Sequence, residues 1–96
     1  MINKYELVVV LNGNLEDDDR SAAMERVQGY ITRFGGNVTN VDDWGKKRLA
    51  YEIQKLNEAF YYVVAFEAPL EAPAQIEENI RIMEQVIRFL IVKQEA

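Results

Sequence analysis

The chain has 96 residues, of which 49% are hydrophobic and 28% are charged, and its formal net charge is −5. This composition is that of ordinary globular material rather than of a disordered segment, and the length predicts one domain over residues 1–96. The sequence contains no Cys and no His, which excludes disulfides, thiolate or imidazole metal sites, Cys nucleophiles and His-dependent triads. The negative charge argues against unaided nucleic-acid binding, so a role with RNA would require a local basic patch, a basic partner, or both.

Residues 2–11 do not resemble a signal peptide, because Lys4 and Glu6 interrupt their apolar part and no cleavage site follows. No apolar run approaches the length that a membrane span requires. We therefore expect a soluble, cytoplasmic protein, and the lack of Cys fits a reducing compartment.

The first predicted element is a strand over residues 3–11. Its apolar run at residues 7–11 is continuous, which is typical of a central strand with both faces covered. The turn-forming residues 12–14 follow, and a helix begins at the acidic residues 16–19. Carboxylates favour a helix N-terminus, and this explains the acidic quartet better than the alternative of a metal site. An apolar stripe at helical spacing then leads to Gly35-Gly36, which ends the helix: Ala23, Val27, Tyr30, Ile31, Phe34.

The second strand spans residues 37–44 and continues past Gly45 to Ile53. A Gly inside so long a strand indicates a bulge or bend, and Val38 and Val41 already break strict alternation. Charged residues lie on both sides of the bend: Asp42, Asp43, Lys47, Arg48. These charges either prevent this edge from pairing with another chain or, in the basic pair, contact RNA or a partner. Trp44 beside the bend is either a contact residue or partly buried at the sheet edge.

The rest of the chain supplies two more strands and a second helix. Residues 54–58 are predicted to form a polar loop, and residues 59–67 a strand rich in aromatic and branched side chains. Pro73 fits the first turn of a helix, whose buried stripe is Ile76, Ile80 and Met83. Residues 86–93 form the last strand, and residues 94–96 are expected to fray.

This order predicts an α+β domain with the ferredoxin-like βαββαβ arrangement, a four-stranded antiparallel sheet with both helices on one face. Right-handed crossovers place the first and third strands at the centre. Alternation assigns one almost wholly apolar set of side chains to the helices: Leu7, Val9, Leu11, Phe60, Tyr62, Val64, Phe66, Phe89, Ile91. A register error of one residue would exchange this set with the opposite one.

The opposite set is expected to face away from the helices, and its charged members mark that face as exposed. Its apolar members would form an exposed patch: Val8, Val10, Tyr61, Val63, Leu90, Val92. Such a patch marks either a partner site or self-association through the same face. Tyr61 is the only aromatic residue in this set, so stacking of RNA bases is not expected to be the main mode of binding.

No arrangement for catalysis is predicted. Gly35-Gly36 follows a helix rather than preceding one, so it does not form a phosphate loop. Ser21 has no base to activate it, and the loop at residues 12–14 lacks the Arg that acyl-phosphate hydrolases of this topology require. We expect a protein that is not an enzyme and has no metal and no cofactor.

The segment Gly45-Lys46-Lys47-Arg48-Leu49-Ala50-Tyr51-Glu52-Ile53 resembles the signature of the bacterial small-subunit ribosomal protein six family. The resemblance extends over almost the whole chain, through Tyr5-Glu6, the turn at residues 12–15, residues 34–36, residues 66–69 and residues 89–93. It implies a structural constituent of the small ribosomal subunit. Members of the family bind the central domain of small-subunit ribosomal RNA together with small-subunit ribosomal protein eighteen, a basic partner that would supply positive charge.

The resemblance and the exposed face together predict the contact residues. For the partner these are Trp44, Lys46, Lys47, Arg48, Tyr51, Tyr61, Val63, Leu90 and Val92. For phosphates of the ribosomal RNA they are Lys4, Arg81, Arg88 and Lys93, through charge-assisted hydrogen bonds that position rather than read sequence. The alternative hypothesis is a small-molecule regulatory domain that dimerises through an edge strand and binds no RNA.

Overall fold

The computed structural model describes residues 2–53 and 56–94, and the side chains of residues 50–53 and 56 lie outside that description. The described elements are β1 (Ile2–Asn12), α1 (Asp17–Arg33), β2 (Asn37–Ile53), β3 (Leu56–Pro69), α2 (Ala72–Arg81) and β4 (Val86–Gln94). The strands form one antiparallel sheet in the order β2-β3-β1-β4. The predicted ferredoxin-like arrangement, with the first and third strands at the centre, is confirmed.

The core lies between one face of the sheet and the two helices. The central strands bury alternate side chains there, and the helices bury residues spaced three or four apart. The wholly buried members include Leu7, Val9, Leu11, Val64, Phe66, Val27, Ile31, Ile76 and Ile80. Phe89 and Ile91 on the outer strand β4 are half-buried against this cluster. The predicted assignment of side chains to the helical face is therefore confirmed, and the register error is excluded.

Helix α1 begins and ends where its sequence predicts. Three acidic residues, Asp17, Asp18 and Asp19, occupy its first turn, where they stabilise the positive end of the helix dipole. At the other end Gly35 has a φ of +87° and its N–H donates to the Thr32 carbonyl at 3.1 Å. Glycine adopts this left-handed conformation without steric cost, so the chain leaves the helix at that point.

The connection between β2 and β3 is shorter than the predicted loop over residues 54–58. Strand β3 already begins at Leu56, which pairs with Ile53, and Arg48 pairs with Glu58. Gln54 and Lys55 lie outside the described residues. Strand β1 pairs with β3 only as far as Ala59, so residues 48–53 and 56–58 extend beyond the central sheet as a hairpin arm. The polar composition of this segment suits a solvated hairpin as well as a loop, which is why sequence reasoning placed the boundary too late.

Candidate interaction surfaces

The face of the sheet that turns away from the helices, here called the open face, brings apolar residues from three strands together. Strand pairing places Val8 between Val63 on β3 and Leu90 on β4. Leu90 and Val92 are 59% and 44% exposed, while the other members are half-buried. We call this set the open-face patch: Val8, Tyr61, Val63, Leu90, Val92. It contains four of the residues that were predicted to bind the partner.

Val10 departs from the expectation of an exposed position in this patch, since it is only 5% exposed. It lies on the central strand β1, opposite Tyr61 on one side and Arg88 on the other. Both neighbours have large side chains, and this flanking accounts for its burial. The prediction followed alternation alone, which assigns a face but not the degree of cover by neighbouring strands.

The predicted bend at Gly45 is confirmed as a β-bulge. Asp43 pairs with Tyr62 and Gly45 with Tyr61, so Trp44 is the extra residue between them. Gly45 has a φ of +75°, and its N–H donates to Asp43 Oδ1 at 2.8 Å. Trp44 is 55% exposed, so its side chain is accessible at the surface, and its role as a contact residue stays a prediction.

A second bulge lies nearer the start of β2. Val38 pairs with Phe66 and Asn40 with Ala65, which leaves Thr39 as the extra residue. The Thr39 hydroxyl donates to the Ala65 carbonyl at 3.1 Å. This bulge explains why Val38 and Val41 break strict alternation in the sequence.

The predicted basic segment is divided between the two faces of the sheet. Lys46 pairs with Phe60, and its ammonium lies 5.5 Å from the centre of that ring on the helical side. Lys47 pairs with the next residue, Ala59, so alternation places it on the side of the open face. Arg48 returns to the side of Lys46. The backbone of Tyr51 lies in the hairpin arm, and its side chain is outside the described residues.

The four residues predicted to bind RNA do not form one cluster. Lys4 lies on the open face between Glu67 and Gln94, and Arg88 lies beside Val10 on the same face. Lys93 is opposite Tyr5, whose side chain is in the core, so alternation directs it to the helical side. Arg81 ends α2, where its guanidinium is 3.7 Å from Glu77 Oε1. Only two of the four therefore share the open face.

One cluster on the helical side was not predicted. The Arg20 guanidinium lies 4.3 Å from the centre of the Phe60 ring, which Lys46 also approaches. Burial raises the pKa of the neighbouring Tyr62; Arg20 opposes this effect, and Asp43 contributes to it. These residues come from α1, β2 and β3, so no local sequence pattern indicates that they meet.

The acidic residues 16–19 lie at the N-terminus of α1, where their negative charge stabilises the helix. Asp17 Oδ1 is 3.2 Å from the Arg20 guanidinium one turn later. Among the described residues, no group of three or more acidic side chains is placed to hold a metal ion. None of the described helices is long and apolar enough to cross a membrane.

Comparison with known proteins decides the family. A sequence profile described as Ribosomal protein S6 matches residues 4–93 of this chain. The chain belongs to the ribosomal protein S6 family. It is 42% identical over 94 residues to small ribosomal subunit protein bS6 of Alkaliphilus oremlandii, with 98% of this chain and 99% of that protein covered. The same protein of Clostridium botulinum is also 42% identical over 94 residues, at 98% and 100% coverage.

The fold of this chain is also similar to a solved structure of the family. A crystal structure of 30S ribosomal protein S6 from Thermotoga maritima superposes with a TM-score of 0.93 at 26% identity, covering 98% of this chain and 89% of that one. The resemblance inferred from the signature at residues 45–53 is thus confirmed. The family is structural and non-enzymatic, which confirms that this chain is not an enzyme. These similarities favour the ribosomal hypothesis over a ligand-binding regulatory domain.

Proposed function

We propose that this chain, a structural constituent of the small ribosomal subunit in the cytoplasmic ribosome, binds the central domain of small-subunit ribosomal RNA cooperatively with small-subunit ribosomal protein eighteen. The observation that carries the proposal is the open-face patch, an apolar surface on a chain of net charge −5. Apolar patches with a charged rim are typical of protein interfaces. A basic partner on this patch would also supply the positive charge that RNA binding requires.

Two kinds of residue divide the work in this proposal. Leu90 and Val92, the most exposed members of the patch, become buried against the partner, and Tyr61 and Val63 extend that interface across the sheet. Lys4 and Arg88 lie at the rim of the same face, where they are free to bind phosphates. Arg81 and Lys93 would reach RNA from the helical side of the sheet.

The cooperative role is tested by measuring the affinity for a central-domain ribosomal RNA fragment, with and without protein eighteen, at two salt concentrations. We expect tight binding only when the partner is present. A variant that removes one cation bound to a phosphate should reduce the slope of log affinity against log salt by about 1. Equal affinity with and without the partner would contradict the cooperative role.

The open-face patch is tested with Leu90→Asp. A carboxylate at this position would be buried without a partner in the complex, and we expect the affinity for protein eighteen to fall about 100-fold. Leu70→Asp is the matched control, because Leu70 is 63% exposed but lies in the turn that leads from β3 to α2. If the two variants weakened binding equally, the patch would not be the partner site.

The phosphate contacts are tested with Arg88→Gln against Arg33→Gln. Both arginines are exposed, but Arg33 ends α1 on the other side of the molecule from the open face. We expect Arg88→Gln to weaken assembly with RNA and to reduce its salt dependence, while Arg33→Gln leaves both unchanged. An identical salt slope for the two variants would remove Arg88 from the RNA contact.

A further inference from the structure

The two edges of the sheet are built differently. The β2 edge carries bulges at Thr39 and Trp44, a left-handed Gly45, and charged residues before and after it. Bulges and lysines are the devices with which natural edge strands avoid pairing with other chains. Strand β2 is therefore protected along its outer side.

The outer side of β4 is regular over residues 88–94, because its register shift against β1 lies before Arg88 and the cations Arg88 and Lys93 lie near the two ends of that stretch. Strand β4 pairs with β1 without a shift from Gln94 to Arg88, and it contains neither Gly nor Pro. Residues 89–92 form a continuous apolar run, Phe-Leu-Ile-Val. Within the described residues β4 pairs only with β1. A long, regular, apolar edge of this kind is a template for an additional strand.

One hydrogen bond shows which backbone N–H and C=O groups of β4 point toward the outer edge. The Asn12 N–H donates to the Gln85 carbonyl at 2.9 Å, toward the β4 side of β1. Strand β1 pairs with β3 over its whole length without a bulge, so its even-numbered residues bond to β4 and its odd-numbered residues to β3. The β4 residues opposite those even-numbered residues are Arg88, Leu90, Val92 and Gln94. The N–H and C=O groups of Phe89, Ile91 and Lys93 consequently point away from the sheet.

We infer that the free edge of β4 receives an extended segment of the basic protein partner as a fifth strand. This inference rests on the proposed function, and it adds the mode by which the partner binds. The added strand would continue the open-face patch, since Leu90 and Val92 already lie on the last strand of that face. Main-chain hydrogen bonds to Phe89 and Ile91 would supply affinity, and apolar side chains beside residues 89–92 would supply fit.

Charge decides between a basic partner and a second copy of this chain. A second copy carries the same net charge of −5 and is repelled at long range, whereas a basic protein is attracted. Arg88 and Lys93 flank the apolar run. The bound segment should therefore be apolar at its centre and carry no cation directly opposite these two residues.

The fifth strand is tested by amide hydrogen exchange, measured by NMR on the free chain and on its complex with protein eighteen. In the free chain we expect the amides of Phe89 and Ile91 to exchange fast and those of Leu90 and Val92 to be protected. In the complex the first two should slow at least 100-fold. If binding is seen by calorimetry but Phe89 and Ile91 still exchange at the free rate, the strand addition is wrong and the proposed function stands.

Two further outcomes are distinct. Absence of binding by calorimetry would overturn the proposed function and this inference with it. Slow exchange of Phe89 and Ile91 in the isolated chain, at concentrations where it dimerises, would identify a second copy as the occupant and overturn the choice of a basic partner.

A backbone substitution gives an independent check. Replacing the Ile91 amide by an ester removes one outward donor and keeps the side chain, so affinity for protein eighteen should fall about fivefold, while stability should fall only slightly because the Leu90 carbonyl becomes a weaker acceptor toward β1. The same replacement at Leu90 removes a bond to β1 and should instead lower the free energy of unfolding. Unchanged affinity for the Ile91 ester would contradict the fifth strand.

Discussion

Tyr5 is a buried residue whose hydroxyl makes no hydrogen bond within the described structure. Its ring stacks on Phe66 with centroids 5.4 Å apart, and its hydroxyl is buried without a hydrogen-bond partner among the described residues. An unpaired buried hydroxyl costs about 1–3 kcal/mol. We expect Tyr5→Phe to raise the free energy of unfolding by about 1 kcal/mol, measured by urea denaturation.

Tyr62→Phe is the control for this prediction, because Tyr62 is buried on the same face and its hydroxyl is not left both buried and unpaired. The free energy of unfolding of Tyr62→Phe near neutral pH should differ less from that of the parent chain than the value for Tyr5→Phe does. A decrease in the stability of Tyr5→Phe would show that the hydroxyl has a partner in solution.

The pKa of Tyr62 gives a prediction at alkaline pH. Burial raises this pKa above the usual 10.0, so the folded chain holds the phenol proton more tightly than the unfolded chain does. The stability that this difference contributes is present below pH 10 and is lost as the pH rises through the folded-state pKa. We expect the parent chain to lose more stability than Tyr62→Phe between pH 9 and about 11. If the free energies of unfolding of the two chains, measured by urea denaturation, fell in parallel over this pH range, the raised pKa of Tyr62 would be contradicted.

The surroundings and backbone angles of three glycines predict the order of stability of their alanine variants. A Cβ at Gly13 would clash with the Glu58 carbonyl oxygen, a backbone atom of β3 at the base of the hairpin arm. A Cβ at Gly45 would meet nothing within 4 Å, but its φ of +75° is strained for alanine, by about 1 kcal/mol. Gly29 lies inside α1 with open space around it, so Gly29→Ala should stabilise by about 0.5–1 kcal/mol.

Urea denaturation of the three alanine variants should therefore rank Gly29→Ala above the parent, Gly45→Ala below it, and Gly13→Ala lowest. If Gly13→Ala were as stable as Gly45→Ala, the turn after β1 would move away from β3 at little cost.

At the scale of elements, the sequence predicted the order of strands and helices, the two central strands and the side chains that face the helices. It did so because apolar periodicity is a local property of the chain. Val38 and Val41 break strict alternation in the sequence, but only the structure showed that a bulge at Thr39 is the cause. What the sequence did not contain were contacts between distant residues, such as Arg20 on Phe60 or Gly13 against Glu58. The same limit applies to the sites. The basic segment is contiguous in sequence, yet the alternation of β2 divides it between two faces.

That division predicts different effects for two adjacent lysines. Lys47 lies on the side of the open face, whereas Lys46 packs over Phe60 on the helical side. We expect Lys47→Ala to weaken assembly with protein eighteen and RNA about fivefold, and Lys46→Ala to leave it nearly unchanged. Sedimentation of the same variants tests edge protection, since a lysine that only blocks pairing would, when removed, increase self-association and leave assembly intact.

At the scale of the whole molecule, net charge opposes the association that the apolar surfaces favour. The chain carries −5 at neutral pH, and its isoelectric point is about 4.7. The open-face patch and the free β4 edge share Leu90 and Val92 and would be exposed in an isolated monomer. Long-range repulsion between copies should therefore keep the free chain monomeric at pH 7 and should vanish near pH 4.7.

We accordingly expect self-association, measured by sedimentation velocity, to rise as the pH falls from 7 toward 4.7, and added salt at pH 7 to act in the same direction by screening. Circular dichroism at each pH separates this effect from unfolding. Leu90→Asp should reduce the association much more than Leu70→Asp, because only Leu90 lies on the open-face patch. If the two variants associated equally at low pH, the contact between copies would lie elsewhere, and the apolar open face alone would not account for it.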